Sequence, residues 1–109
     1  MEGLLVITNL PDRDSAQRLA RLLLDRRLAA CVNILAPCDS VYRWRGEIQR
    51  ETEHPLLIKT AADRYTELEA SIRANHPYEL PEIIAVPIAR ALPVYLNWIE
   101  TETRAGASA

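Results

Sequence analysis

The sequence predicts an α+β fold in which two helices cover one face of an antiparallel sheet and a third helix follows. Three observations carry this. Strand-like and helical segments succeed one another as β-α-β-β-α-β, then α. The dipeptide Arg45-Gly46 divides two strand-like runs as a hairpin turn, because glycine tolerates a positive φ. Pro87 interrupts the last strand-like run, and a proline without a ladder donor belongs at a sheet edge or a bulge.

The elements follow in order. "GLLVIT", residues 3 to 8, is the first strand. Asp12 or Asp14 can cap the next helix, and Asp14 with Gln17 has capping-box spacing. Leu19, Leu22, Leu23 and Ala30 recur at helical spacing, which predicts a helix over 13 to 28. Arg26 and Arg27 suit the negative end of its dipole. "AACVNIL", residues 29 to 35, is the second strand; Pro37 breaks it and "SVYRW" resumes it. A two-residue turn at 45–46 sets the register Trp44 with Glu47, Tyr42 with Gln49 and Ser40 with Glu51. Those six residues share one face, and Val41, Arg43, Ile48 and Arg50 take the other. The third strand continues through "PLLIKT", residues 55 to 60. The second helix runs over 61 to 75 with Asp63 as its expected cap and Tyr65, Leu68 and Ile72 as its stripe. Pro77 ends it, since the residue before proline avoids helical geometry. "EIIAVPIAR", residues 82 to 90, is the fourth strand, and a helix over 92 to 102 starts at Pro93, with Leu92, Tyr95, Trp98 and Ile99 on one side. The pattern is the ferredoxin-like split βαβ, and right-handed crossovers place both main helices on one face. One domain is expected over 1–102, with a flexible tail at 103–109.

Composition narrows the function. The chain has 109 residues, 49% hydrophobic and 26% charged, with a net charge of −2, and Lys59 is its only lysine. No cluster of cations is available for a phosphate backbone, so no nucleic-acid partner is expected. The apolar runs are far shorter than the ~18 residues of a membrane span, and the N-terminal residues lack an export signal, so a cytoplasmic location away from membranes is expected. Three glycines leave no phosphate loop. Cys31 and Cys38 on one extended strand would lie ~20 Å apart, beyond the ~7 Å reach of a disulfide. Free thiols suit a reducing compartment and leave open a thiol–metal role.

The stretch "RANHPYELPEII", residues 73 to 84, concentrates polar groups. His76 is either a metal ligand or general base, or a helix-ending histidine bonded to backbone or carboxylate. Pro77 and Pro81 keep Glu79 and Glu82 from sharing a helical face with it. Cys31 is a small buried hydrophobe or a soft ligand. Tyr42, Trp44, Glu47, Gln49 and Glu51 place two large aromatics near a hairpin tip, where they meet another subunit or the chain's own last helix. Lys59 holds an anion or an inter-subunit carboxylate, or blunts a sheet edge. No hydrolytic triad has a signature here. An acylphosphatase-like loop would have Arg13 but lacks the glycines it favours.

"LAACVNIL", then Ser40-x-Tyr42-x-Trp44-x-Gly46, "IKT" at 58–60, "HPYELPEI" at 76–83 and "YLNWI" at 95–99 together resemble the CutA divalent-cation tolerance family. The resemblance runs from about residue 4 to residue 100. It implies a homotrimer of ferredoxin-like protomers assembled like PII signalling proteins, whose hairpins add strands to neighbouring sheets and bury Tyr42 and Trp44. It implies a part in tolerance of divalent metals, copper especially, with no obligatory cofactor and no enzymatic reaction. A metal ion or small ligand then sits at subunit clefts, with His76 and Cys31 as metal candidates. Tyr42, Trp44, Glu51, Lys59, Tyr78, Glu79 and Trp98 are the cleft or interface candidates. The alternative is a PII-like regulatory module that binds a small anion or a partner protein. Thr8 and Asn75 stand where some relatives carry a cysteine and a second histidine, and Ala91 where a glycine is usual.

Overall fold

The computed structural model describes residues 1–104. The elements are β1 (Gly3–Leu10), α1 (Arg13–Asp25), β2 (Cys31–Ile34), β3 (Cys38–Trp44), β4 (Glu47–Ala61), α2 (Tyr65–Asn75), β5 (Ile84–Pro87) and α3 (Pro93–Glu102). The strands lie in the order β2-β4-β1-β5, all antiparallel, with β3 paired to the first half of β4. This is the ferredoxin-like arrangement, its second strand divided into β2 and β3. β5 is an edge, as Pro87 requires.

Alternation along β1 makes the two faces of the sheet different. Leu4, Val6, Thr8 and Leu10 are buried, while Leu5, Ile7 and Asn9 are half-buried. The first set meets α1 through Ala16, Leu19 and Leu23 and α2 through Leu68 and Ile72, with Leu56 and Ile58 from β4 completing the core. The other face carries no helix over its centre. Its register aligns Cys31, Lys59, Leu5 and Val86 in one row and Asn33, Leu57, Ile7 and Ile84 in the next.

Several boundaries differ from the expected ones for local reasons. α1 is capped by Asp12, whose Oδ1 accepts from the Ser15 N–H at 2.7 Å. It ends at Asp25 because Arg27 adopts φ 55° and the Leu28 N–H returns to the Leu23 carbonyl at 3.0 Å, a left-handed helix end. Asp63 does not cap α2; it pairs with Arg104 at 2.9 Å. β5 is shorter than 82 to 90. On α3 only Ile99 is buried, and Tyr95 and Trp98 point outward with their rings 5.4 Å apart. Thr103, expected in the tail, is buried, and its hydroxyl donates to the Ile99 carbonyl at 2.9 Å. The remainder of the expected tail, 105–109, lies outside the described residues.

The proline in the middle of β4 explains the division of β2 from β3. The Pro55 carbonyl accepts from the Leu35 N–H at 2.9 Å, so its donor-less nitrogen faces that same side. The partner strand breaks there, between Ile34 and Cys38, and no ladder bond is lost. Beyond the break, β3 and β4 run on as a two-stranded ribbon, which gives a protomer of 47 × 27 × 24 Å its long axis.

One core position is polar without compensation. Thr60 Oγ1 donates to the Leu28 carbonyl at 2.7 Å, but the equally buried Thr8 Oγ1 has no partner among the described residues. An unmade buried hydroxyl bond costs about 1–3 kcal/mol. Thr8→Val keeps the branched shape and removes that hydroxyl, so it is expected to raise stability by about 1 kcal/mol. Chemical denaturation checks this; a lower midpoint would mean the hydroxyl is satisfied in solution.

Candidate functional site

The ribbon bends its Tyr42–Trp44 face toward the segment that joins α2 to β5. The expected register is present: Trp44 faces Glu47, Tyr42 faces Gln49 and Ser40 faces Glu51. One step further, Cys38 faces Glu53 on the same side. Residues 77–82 form the opposite wall, and the space between is a cleft of about 690 Å³. Tyr42, Trp44, Glu51, Glu53, Tyr78 and Glu79 supply its chemistry, with Glu82 and Asn9 at one side.

Three contacts hold the 77–82 wall. Arg45, at the ribbon tip with φ 51°, donates to Glu79 at 2.9 Å. Asn9 Nδ2 donates to Glu82 at 3.1 Å. The third is His76. β5 ends opposite Ile7, so the Asn9 carbonyl two residues along that edge has no strand to pair with. His76 Nε2 lies 2.7 Å from that carbonyl, and Nδ1 accepts the Tyr78 N–H at 3.2 Å. The two bonds define the Nε2–H tautomer. Burial holds the His76 pKa below its usual value, with the Asn9 bond and the Glu53 charge opposing.

Four carboxylates, Glu51, Glu53, Glu79 and Glu82, line the cleft against one guanidinium, Arg43. Glu53 is 9% exposed, and no ion pair among the described residues includes it or Glu51. The Tyr78 hydroxyl is pushed well up, first by burial and then by the Glu53 carboxylate beside it. Tyr42 moves in the same direction, by burial and then by Glu51 and Glu53. Both phenols therefore stay protonated and can donate to the carboxylates. Arg43 reaches the cleft from the other face of the ribbon and forms no ion pair with these carboxylates among the described residues.

The candidates named from sequence fall into three places. Tyr42, Trp44, Glu51, Tyr78 and Glu79 share the cleft, with His76 at its edge, its ring 4.9 Å from that of Tyr78. Lys59 and Cys31 lie together on the open sheet face, where Lys59 Nζ donates to Asn33 at 2.8 Å. Trp98 is on α3, which packs at the far end of β1, where Leu96 and Ile88 meet Gly3. Tyr42 and Trp44 thus do not pack on the last helix.

The structure does not bring the metal candidates together. Cys31 is aligned with Lys59 and Asn9 with Pro55, four residues along and two strands across, roughly 16 Å at sheet spacings. His76 has both ring nitrogens committed to backbone, and no cluster of three potential ligands occurs among the described residues. A metal ion on this pair is therefore not supported by the donor set of one protomer. Glu53 is the residue sequence reasoning missed. Continuing the hairpin alternation two residues past Glu51 would have placed it.

No helix among the described residues is long and apolar enough to cross a membrane. The family model for the CutA1 divalent ion tolerance protein matches residues 4–102. The chain is 42% identical over 103 residues to the divalent-cation tolerance protein CutA of Thermus thermophilus, covering 94% of this chain and 99% of that one. It is 39% identical to the chloroplastic CutA of Arabidopsis thaliana, of which it spans 56%. It thus matches nearly the whole of the bacterial relative and a little over half of the plant one. Among solved structures, CutA from Xylella fastidiosa superposes with a TM-score of 0.92 at 43% identity, covering 95% of this chain and 100% of that chain. The Archaeoglobus fulgidus structure, described as a periplasmic divalent cation tolerance protein, gives 0.90 at 36%, with coverage of 95% and 100%. With nearly all its length matched by the family model and by the bacterial relative, the chain belongs to the CutA divalent-cation tolerance family.

Proposed function

We propose that the chain serves divalent-metal tolerance as a cytoplasmic homotrimer, PII-like in assembly, whose subunit clefts hold a cation, either a metal such as copper or a small ligand, without turning it over. The observation that carries this is the cleft itself: a nearly buried Glu53 with Glu51 beside it, two protonated tyrosines, and no cation paired to either carboxylate among the described residues. Glu53 is hydrogen-bonded by Tyr78, yet its charge has no counter-charge in an ion pair among the described residues. The wall's charge argues against the alternative of a small anion.

The trimer is supported by surface that one protomer leaves uncovered. Ile84 and Val86 are 48% and 47% exposed beside half-buried Leu5, Ile7 and Leu57 on the open sheet face. Val41 and Ile48 are 59% and 62% exposed on the outer face of the ribbon. Apolar patches of this kind mark protein contacts. The free state of Cys31 and Cys38 suits a reducing compartment such as the cytoplasm.

Calorimetric titration with Cu²⁺, Zn²⁺ and agmatine tests the cleft. At least one should bind wild type saturably, one per cleft, and lose its binding in the Glu51→Gln/Glu53→Gln protein. Absence of saturable binding by all three would contradict the proposal.

A further inference from the structure

We infer that the cleft recognises an organic nitrogen cation, an alkylammonium or guanidinium group, in preference to a bare divalent ion. The inference rests on the cation cleft proposed above and names the chemistry of its ligand.

Size and donor geometry point away from a bare ion. A divalent ion of the copper or zinc type takes about four close ligands in a compact set. Here the open cleft measures about 690 Å³, and no three potential ligands converge among the described residues. A volume of that order suits a small molecule.

The rim of the same cleft shows what its walls can hold. The Arg45 guanidinium lies 5.2 Å from the centre of the Trp44 ring and 2.9 Å from Glu79. An aromatic face on one side and a carboxylate on the other is how proteins hold nitrogen cations. Deeper in the cleft the same two components recur. Tyr42 and Tyr78 stand beside Glu51 and Glu53, and Glu53 is more than nine-tenths buried. The rim set has its guanidinium. The inner set has no cationic partner among the described residues, and a nitrogen cation would satisfy its carboxylates through N–H donors while lying against its rings.

The test is calorimetry on the whole protein, with agmatine, tetramethylammonium, Zn²⁺ and Cu²⁺ as probes. Wild type should bind agmatine more tightly than either metal ion. Glu53→Gln, which keeps size and removes charge, should weaken agmatine at least tenfold. Tyr42→Phe, which keeps the ring, should change it less than threefold. Asp25→Asn, on the outer face of α1, should leave it unaltered. Thermal melts confirm that each variant is folded. Tighter binding of Zn²⁺ or Cu²⁺ than of agmatine would overturn the inference while leaving the cation cleft standing. Agmatine binding unaffected by Glu53→Gln would also overturn it. Failure of every probe would remove the cleft proposal itself.

Discussion

Ile84→Asp is expected to convert the proposed trimer, with a mass of three protomers, to a mass of one. Ile84 lies on edge strand β5, in the row with Ile7 and Leu57, and is about half exposed in the protomer. A carboxylate there costs the isolated fold little, because water reaches it. Against a neighbouring subunit it would be buried unpaired in every copy, at several kcal/mol each. Those penalties sum over the interfaces of one trimer, so the dissociation constant should rise by more than about a thousandfold, or roughly 4 kcal/mol. Light scattering at micromolar concentration reads the result. An unchanged trimer would place the subunit contacts elsewhere, and a wild-type monomer would remove the trimer altogether.

The second large effect belongs to His76. His76→Ala should cost about 2–3 kcal/mol of stability, because it removes two hydrogen bonds and leaves the Asn9 carbonyl without a partner. Its pH dependence follows from the depressed pKa. The folded state favours neutral imidazole, so the unfolded state binds the proton more readily. The stability His76 contributes is full above the unfolded value near 6.5 and is lost as pH falls through the lower folded value. The proton would take Nδ1, which then no longer accepts from Tyr78, and the 77–82 wall loosens. Denaturation of wild type between pH 7.5 and 5 should therefore show a fall in midpoint that His76→Ala does not share. A metal-ligand role makes a different forecast: substitution would abolish metal binding with stability almost unaltered.

The contrast between Glu51 and Glu53 shows how far the sequence could be read. Arg45-Gly46 is a two-residue turn, and such a turn fixes every pair behind it. Tyr42, Trp44 and Glu51 were therefore assigned to one face before any coordinates. The ribbon continues to Cys38 and Glu53, one facing pair beyond those read from the turn. Alternation puts Glu53 on the Tyr42 face, but not the 77–82 wall that makes this face one side of a cleft. His76 illustrates a different limit. Its partner, the Asn9 carbonyl, is 67 residues away, and that carbonyl needs a donor only because β5 stops opposite Ile7. Strand ends are the least legible part of a sequence, so a helix-ending histidine bonded to backbone can be read at 76, but not which carbonyl it meets. α1 ends early for a comparable reason: nothing in an arginine announces a left-handed residue, where glycine or asparagine would have.

Trp98 and Tyr42 are both cleft or interface candidates from the sequence, which does not tell the two ends of a long protomer apart. Trp98 stands on α3, which packs beside Gly3, and Gly3 pairs with Ala61 at the end of β4 opposite the hairpin. One protomer cannot join it to the cleft; in the proposed trimer a neighbouring copy would have to do so.

The most direct test of the cation cleft is the position of a bound cation. Crystals of the protein soaked separately with agmatine and with Zn²⁺, the latter read by anomalous scattering, would locate the occupant. The account predicts an occupant within hydrogen-bonding reach of Glu53, flanked by Tyr42 and Tyr78. A cation seated instead at Cys31 or on the ring of His76, with none beside Glu53, would contradict it.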